Sequence, residues 1–263
     1  MMMTFRAPSI YKQTSARYGQ MLYNPNDSYV GRSLDLYGEF SEGEVEIFRQ
    51  LIKPGYTVLD IGANIGCHTV FMAQALENSG QVIAFEPQRL IYQMLCANIA
   101  LNSLFNVHCL NSALGDSAGT IVVPILNPVT KNNFGGLELG HHEEGETVVR
   151  ITLDSLNLTA CHFIKLDVEG MEGAVLKGAR ETISRCKPIL YVENDRETNS
   201  DDLIRLIASF GYRMYWHLTP LFNPDNHNKN RENVFGEIIS KNMLCIHRDK
   251  SSNISGMAEV VVP

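Results

Sequence analysis

The chain has 263 residues, of which 44% are hydrophobic, and a formal net charge of -7 at pH 7. This acidic balance removes the attraction to phosphates that supplies most non-specific affinity for nucleic acids, so no nucleic-acid partner is expected. The six cysteines form no CxxC pair, the start lacks the apolar run of a signal peptide, and no segment approaches the roughly 20 apolar residues of a membrane span, so we expect a cytoplasmic protein with no membrane partner.

Apolar runs of strand length alternate with segments of helical periodicity, which is the pattern of parallel βαβ units. A first helix is expected to begin at Ser41, which has capping-box spacing to Glu44. The predicted strands are 56–61, 81–85, 106–110, 161–166, 189–192, 212–216 and 243–247, and the other predicted helices are 66–76, 88–101, 171–183 and 201–210. Seven strands fit one open α/β sheet with helices on both faces.

Two regions interrupt this alternation. Residues 116–150 are rich in Asn, Gly and Thr and predict a hairpin and a loop between the third and fourth strands, and residues 217–234 predict a second long loop. Long loops in a compact domain are more often functional than idle. We therefore divide the chain into an N-terminal extension (1–40), a main domain that carries both loops (41–250) and a C-terminal tail (251–263).

The most informative segment is an apolar strand that runs into a glycine turn and then a helix, with the sequence Val58-Leu59-Asp60-Ile61-Gly62-Ala63-Asn64-Ile65-Gly66. In open α/β sheets ligands sit outside the carboxyl ends of the strands, where glycines let the backbone approach them. Twenty residues after Gly66 the second strand ends at Glu86, which can accept hydrogen bonds from both hydroxyls of an adenosine ribose. The two features together predict an adenosine cofactor, whereas the turn alone could be purely structural.

The charge at the turn indicates which adenosine cofactor is bound. A dinucleotide needs glycines spaced as GxGxxG, and Asp60 would repel its phosphates. The same anion suits the ammonium and sulfonium groups of S-adenosylmethionine. This favours a methyltransferase over a nicotinamide-dependent oxidoreductase, and a cofactor-binding interaction module without catalysis stays open as a third interpretation.

Candidate acid–base residues follow the fourth predicted strand. Asp167 lies at its carboxyl end and shares a face of the strand with Lys165. A carboxylate there could hold the cofactor's amino group, take a proton from an acceptor hydroxyl or bind a metal, and an internal ion pair with Lys165 is the alternative. Glu169 is a second catalytic candidate, although it could simply favour a helix N-terminus.

Two further strand ends carry candidate groups. His217, next to the second long loop, is a candidate base. Asp167 with Glu193 and Asn194 would form an all-oxygen site of the kind that Mg²⁺ prefers. Oxygen clusters at strand ends are common without a metal, so we do not expect one.

Several segments, in this order, resemble the FkbM family of methyltransferases: VLDIGANIG, VIAFEP, a helix with Ala97-Asn98-Ile99 and Asn102, SALGD, ITLDSL, FIKLDVEGMEGAVLKGA and PILYVEND. The resemblance implies a class I fold, in which a mostly parallel seven-stranded sheet has an antiparallel last strand, and O-methylation of a natural product, sugar or glycan. It places Asp60, Gly62, Asn64 and Gly66 at the methionine part of S-adenosylmethionine, Glu86 at the ribose, and Ser112 with Ala113 beside the adenine. Ala63 and Pro87, in the same two turns, are also assigned to the cofactor.

The acceptor is expected to be a small hydroxylated molecule or a glycan end, enclosed by residues 132–139 and by the loop 216–233. Both segments offer amides for hydroxyls or aromatic faces for a sugar ring: Asn132, Asn133, Asn223, Asn226, Asn228, Trp216 and Phe222. Few cations are available there for a phosphate or a carboxylate. The alternative is that these stretches are mobile surface turns.

Overall fold

A seven-stranded sheet is the centre of the structure, a computed structural model that describes residues 10–140, 142–251 and 254–263. The strands are β1 (Lys12–Ala16), β2 (Gly19–Tyr23), β3 (Thr57–Ile61), β4 (Gln81–Phe85), β5 (Val107–Leu110), β6 (Ala113–Leu114), β7 (Gly119–Val123), β8 (Glu146–Ile151), β9 (Phe163–Leu166), β10 (Ile189–Glu193), β11 (Tyr212–Pro220) and β12 (Ile239–His247). The α-helices are α1 (Val30–Tyr37), α2 (Glu42–Leu51), α3 (Cys67–Ala75), α4 (Arg89–Leu101), α5 (Glu172–Lys177), α6 (Arg180–Cys186) and α7 (Glu197–Ser209).

The order of strands in the main sheet is β11-β12-β10-β9-β3-β4-β5. Strands β5, β4, β3, β9 and β10 run parallel, and β12 is antiparallel to both of its neighbours. The predicted sheet with an antiparallel last strand is therefore confirmed. From β3 the chain proceeds outwards to β4 and β5, and from β9 it proceeds the other way to β10, so the strand order reverses between β3 and β9. Ligands of open α/β sheets bind at such a switch point.

The helix predicted over 171–183 is wrong as one element, because the structure breaks it into α5 and α6. A Cβ atom added at Gly178 would lie 2.0 Å from the carbonyl oxygen of Gly115, so the chain passes too close for an ordinary helix residue. The carboxylate of Asp154 then accepts the backbone N–H groups of Glu181 (3.0 Å) and Thr182 (2.8 Å) at the start of α6. Both causes are far away in sequence, so helical periodicity could not reveal them.

The expected capping box at Ser41 is wrong in its chemistry, although α2 does begin at the next residue. Ser41 has a left-handed backbone with φ of 50°, and its hydroxyl donates to the carboxylate of Glu44 (2.8 Å) instead of accepting a backbone N–H. The two strands predicted at 212–216 and 243–247 are longer than expected, because β11 and β12 pair over nine residues each.

The described part of the predicted N-terminal extension packs onto the main sheet's helices. Tyr23 and Leu34 share a hydrophobic core with Ile65 and Leu95. The fully buried amide of Asn98 also joins the layers, since it accepts from the N–H of residue 22 (2.6 Å) and donates to the carbonyls of residues 22 (3.0 Å) and 65 (2.8 Å). Residues 1–9 of the predicted extension and 252–253 of the predicted tail lie outside the described residues.

The first interruption forms a small sheet of order β6-β8-β7, in which the described residues 124–140 and 142–145 belong to the loop between β7 and β8. The six cysteines are free. None of the helices in the described ranges is long and apolar enough to span a membrane.

Candidate functional site

A cavity of about 400 Å³ lies at the carboxyl ends of β3, β4, β5, β9 and β10, where the strand order reverses. Its volume is typical of small-molecule sites. The loop 124–145 forms one wall and is tied down on both sides. The side-chain amide of Gln88 donates to the carbonyl of Phe134 (2.7 Å), and Arg196 forms an ion pair with Glu138 (3.1 Å).

Gly62, in the turn after β3, lines the cavity and is held against the next strand. Its φ is +82°, and a Cβ atom there would lie 1.7 Å from the carbonyl oxygen of Asp167. Glycine is therefore required by both the backbone conformation and the contact between the ends of β3 and β9. This contact is what brings the glycine turn and Asp167 to one place.

Replacing Gly62 with Ala should destabilise the protein by about 3 kcal/mol or more, since backbone strain adds to overlap with a neighbouring backbone atom. Gly55 is a matched control, because it has a similar φ of +84° but no atom within 4 Å of the added Cβ. Gly55→Ala should cost about 1 kcal/mol. Urea unfolding of both variants checks the difference, and equal losses would show that contact with Asp167 is not what requires Gly62.

Asp60 lies behind the glycine turn and not in the cavity wall, which corrects its expected contact with the cofactor. The side chain is completely buried, accepts a hydrogen bond from the hydroxyl of Thr69 (2.6 Å), and lies 3.8 Å from the ammonium of Lys165. Gly66 is likewise used by the fold, because its left-handed backbone starts α3 and an added Cβ would lie 2.7 Å from Leu95. The buried position of Asp60 is therefore explained by its role in compensating the charge of Lys165.

Lys165 bridges the two acids that flank it. Its ammonium donates to Asp167 (3.0 Å) and to the carbonyl of Gly62 (3.3 Å), and the residue is 3% exposed. Burial opposes the charge on Lys165, but Asp167, Asp60 and Glu44 outweigh burial and raise its pKa. This is the internal ion pair that the sequence allowed as an alternative, and it holds Asp167 in place at the edge of the cavity.

Glu86 lines the cavity at the end of β4, as predicted. Its two carboxylate oxygens accept the backbone N–H groups of Asn64 (3.0 Å) and Gln88 (2.8 Å). Burial raises the pKa of Glu86 to about 7, although these two backbone hydrogen bonds oppose the shift. Each oxygen keeps a second lone pair, so the carboxylate can still accept hydrogen bonds from a pair of ribose hydroxyls.

The remaining residues predicted at the adenosine end also line the cavity: Ala63, Asn64, Pro87, Ser112 and Ala113. The hydroxyl of Ser112 is buried and has no hydrogen-bond partner among the described residues. Buried polar groups without partners are rare in folded proteins, so this hydroxyl fits a site that a polar ligand completes. The cavity wall from β3 to β5 thus suits adenosine.

Three carboxylates converge where β9 and β10 end. Oxygens of Asp167, Glu169 and Glu193 lie within 4.8 Å of one another. Burial opposes ionisation of Asp167, but the adjacent Lys165 outweighs it, and the pKa of Asp167 is lowered. Burial and the negative charges of Asp167 and Glu169 raise the pKa of Glu193 far above its usual value, so Glu193 stays protonated and shares a hydrogen bond with Asp167.

The backbone conformation and the pKa of Glu169 are unusual for a carboxylate with a purely structural role. Its φ is 55°, in the left-handed region that residues other than glycine rarely adopt, and such strain is concentrated at functional sites. Burial and the charge of Asp167 raise its pKa to about 7, while a hydrogen bond from Arg196 (2.7 Å) opposes the shift. A carboxylate with a pKa near neutrality is suited to proton transfer.

The predicted oxygen trio of Asp167, Glu193 and Asn194 is wrong in its third member. Asn194 is buried, and its side-chain amide donates to the sulfur of Met243 (3.4 Å). Successive residues of a strand point to opposite faces, so Glu193 and Asn194 cannot both face the cavity. Glu169 takes the third place, and these three carboxylates are the ones that could hold a cation.

His217 is not brought to the cavity, so its proposed role as a base is not supported. Its Nδ1 atom lies 2.8 Å from the hydroxyl of Tyr191. The imidazole therefore has a hydrogen-bond partner that is itself not part of the cavity wall. A different histidine, His68, lines the cavity together with Glu44, and the sequence analysis missed both. The available signal for His68 was its place in the first turn of the helix that follows the glycine turn, because a helix N-terminus there faces the ligand site.

The two predicted acceptor segments behave differently. Residues 133–139 of the first loop contribute Asn133, Gly135, Gly136, Leu137 and Leu139 to the cavity wall. In the second loop the amides make internal hydrogen bonds, namely Asn226 to the carbonyls of residues 223 (2.9 Å) and 230 (2.6 Å), Asn223 to Glu39 (2.8 Å) and Asn228 to the carbonyl of residue 36 (3.3 Å).

The aromatic residues of the second loop are also used elsewhere. Trp216 packs on the main core, and Phe222 contacts Tyr37 with ring centres 5.3 Å apart. The expected contacts of this loop's amides and aromatics with an acceptor are therefore wrong. Within this loop Leu221 lines the cavity, and it is joined there by Ile238 and Ile239, which follow the loop where β12 begins.

Comparisons with known proteins agree with this geometry. Residues 60–214 match the model of a family described as the methyltransferase FkbM domain. The chain is 31% identical over 157 residues to the methyltransferase sdnD of Sordaria araneosa, an alignment that covers 47% of this chain and 60% of that protein. It is also similar to the crystal structure of methyltransferase FkbM from Methylobacillus flagellatus KT, with a TM-score of 0.51, 20% identity, and coverage of 77% of this chain and 50% of that one. The likeness confirms the predicted class I fold.

Proposed function

Because the chain belongs to the FkbM methyltransferase family, we propose that it transfers the methyl group of S-adenosylmethionine to a hydroxyl group of an uncharged small molecule, sugar or glycan end. The observation that carries this proposal is the division of the cavity into two ends. The β4–β5 end offers Glu86 and the unpartnered hydroxyl of Ser112 to an adenosine, and the β9–β10 end offers acid–base groups. We propose these residues as the cofactor and catalytic sites.

The protein itself contributes little covalent chemistry to this reaction. When bound, S-adenosylmethionine would supply a methyl group on a sulfonium. The acceptor oxygen bonds to that methyl carbon as the carbon–sulfur bond breaks, S-adenosylhomocysteine is the leaving group, and the acceptor's proton passes to a base. Alignment of the two reactants can account for up to about 7–11 kcal/mol of the barrier. The cavity and the fixed strand ends serve this alignment.

Glu169 is the proposed proton acceptor. It lines the cavity with a pKa of about 7, while Asp167 is already engaged by Lys165 and by the protonated Glu193. Asp167 then acts as a fixed negative charge near the reacting methyl group. Arg196 holds Glu169 from outside the cavity, and this ion pair keeps the carboxylate oriented.

The test is transfer of labelled methyl from S-adenosylmethionine to a panel of neutral hydroxylated compounds, matched with amines and carboxylates of the same skeletons. The rate should rise with pH through about 7, since Glu169 must lose its proton to act as a base. Glu169→Gln should lower the rate about 100-fold and remove this pH dependence, with little change in affinity for S-adenosylhomocysteine. A variant that keeps the wild-type rate would exclude Glu169 as the base, and absence of any transfer would favour a non-catalytic cofactor-binding module.

A further inference from the structure

Two buried polar side chains at the acceptor end of the cavity have no part in the adenosine site. Glu44, on α2, is 5% exposed, and His68, on α3, is 7% exposed. Both line the cavity, and both experience the charges of Lys165 and Asp167. They therefore lie beside the strand end that the proposed function assigns to the reacting methyl group.

The hydrogen bonds of Glu44 leave part of its carboxylate unused. Its Oε1 atom accepts the hydroxyls of Ser41 (2.8 Å) and Ser240 (2.6 Å). Among the described residues no hydrogen bond reaches the other oxygen, Oε2. Since Ser240 lies on β12, beyond β10 in the sheet, this site is on the opposite side of Asp167 from the adenosine end.

His68 has an unpaired ring nitrogen. Its ring packs against Phe48, with centres 5.3 Å apart in edge-to-face geometry, and against Phe40 at 5.8 Å. Its Nε2 atom is buried and has no hydrogen-bond partner among the described residues. Burial, assisted by the charge of Lys165, lowers the pKa of His68 to about 4, so the ring is neutral near pH 7.

An unpaired polar atom in a packed interior costs stability, and such atoms are retained where a ligand completes them. Resting on the proposed methyl transfer to a hydroxyl, we propose that Glu44 and His68 are positioning residues that bind hydroxyl groups of a neutral polyhydroxylated acceptor. The free carboxylate oxygen accepts one hydroxyl, and the neutral imidazole accepts or donates to another. An anionic group would instead meet the ionised carboxylate of Asp167 beside this end of the cavity, and like charges repel each other.

The probes are three small compounds that share one skeleton: neutral glycerol, anionic glycerate and cationic 3-aminopropane-1,2-diol. Each is titrated to molar concentration into the protein saturated with S-adenosylhomocysteine, and binding is read from the imidazole ¹⁵N shifts of His68 and the side-chain methyl shifts of Ile239, which lines the same end. Glycerol should shift both signals, and glycerate should not. Absence of a glycerol-dependent shift, or tighter binding of the ammonium compound, would overturn the assignment to a neutral polyol.

Variants separate a positioning role from a structural one. His68→Leu should weaken glycerol binding about tenfold, as loss of one buried hydrogen bond predicts, without lowering the unfolding midpoint, because it removes an unpaired polar atom. His68→Gln should restore most of the affinity, since its amide can occupy the place of Nε2. The control is His162→Leu, in which the lost Nδ1 accepts the N–H of Thr57 (2.9 Å) at the other end of the sheet, so stability should fall and glycerol affinity should not.

Calorimetry with S-adenosylhomocysteine on the same proteins distinguishes the two proposals. If the wild-type protein does not bind this product, the proposed function fails. If every variant binds it normally but His68→Leu retains the wild-type affinity for glycerol, the inference about His68 fails and the proposed function stands.

Discussion

Asp167→Asn should destabilise the protein by about 2–3 kcal/mol in urea unfolding near neutral pH, the largest loss expected from a change to a charged group of the site. The change removes the nearer of the two acids that form ion pairs with Lys165, at 3.0 Å, and leaves Asp60 at 3.8 Å. Breaking a fully buried ion pair costs about 3–5 kcal/mol. The smaller value is expected here because the Asp167 side chain is 36% exposed to the cavity and Asp60 remains.

The pH dependence of this loss follows from the lowered pKa of Asp167. A carboxylate whose pKa is lower in the folded state stabilises the protein above its unfolded pKa of about 3.9, and that contribution disappears as pH falls through the folded value. The difference between wild type and Asp167→Asn should therefore shrink below pH ~4. Glu193→Gln is the matched control, because the protonated Glu193 and a glutamine amide can both donate to Asp167. Equal destabilisation by the two variants would contradict the assigned protonation states.

Glu86→Gln should weaken binding of S-adenosylhomocysteine roughly 30-fold, or about 2 kcal/mol, in calorimetry. A glutamine keeps one acceptor oxygen, and its NH₂ group faces a backbone N–H donor of Asn64 or Gln88. It also replaces an acceptor that a ribose hydroxyl would use. Glu77→Gln, at an exposed position, should leave the affinity unchanged.

Affinity of the wild-type protein for the same ligand should fall as pH is lowered through about 7. Burial raises the pKa of Glu86 to about 7, and the protonated form has lost one of its acceptor sites. Glu86→Gln should flatten this dependence. An affinity that is independent of pH in the wild type, or a pH dependence that persists in the variant, would show that Glu86 does not contact the ligand.

The sequence was sufficient to predict the groups that stand at the ends of parallel strands. An apolar run followed by glycine or an acidic residue marks a carboxyl end, and parallel strands place all such ends along one edge of the sheet. Gly62, Glu86 and Asp167 were located in this way, and all three line the cavity. A chemical role could be predicted for them because a local pattern determines their position.

Residues whose partners are distant in sequence could not be predicted in the same way. Asp60 was expected to contact the cofactor, but Lys165, more than a hundred positions later, compensates its charge inside the fold. Asn226 lies in an Asn-rich segment, as Asn132 and Asn133 do. Its side chain is nevertheless completely buried within its own loop. Composition indicates which hydrogen bonds a side chain can make and not which partner it finds.

The sequence by itself determined the fold class of this protein. The alternation of strands and helices and the glycine turn are local features, and they agree with one order of elements along the chain. The tertiary structure decided which polar groups face the cavity. Glu44 lies on α2 and His68 on α3, and their free atoms became evident once folding brought both helices to the cavity. Whether a polar atom is paired depends on every neighbour that folding brings to it, and those neighbours come from all parts of the chain.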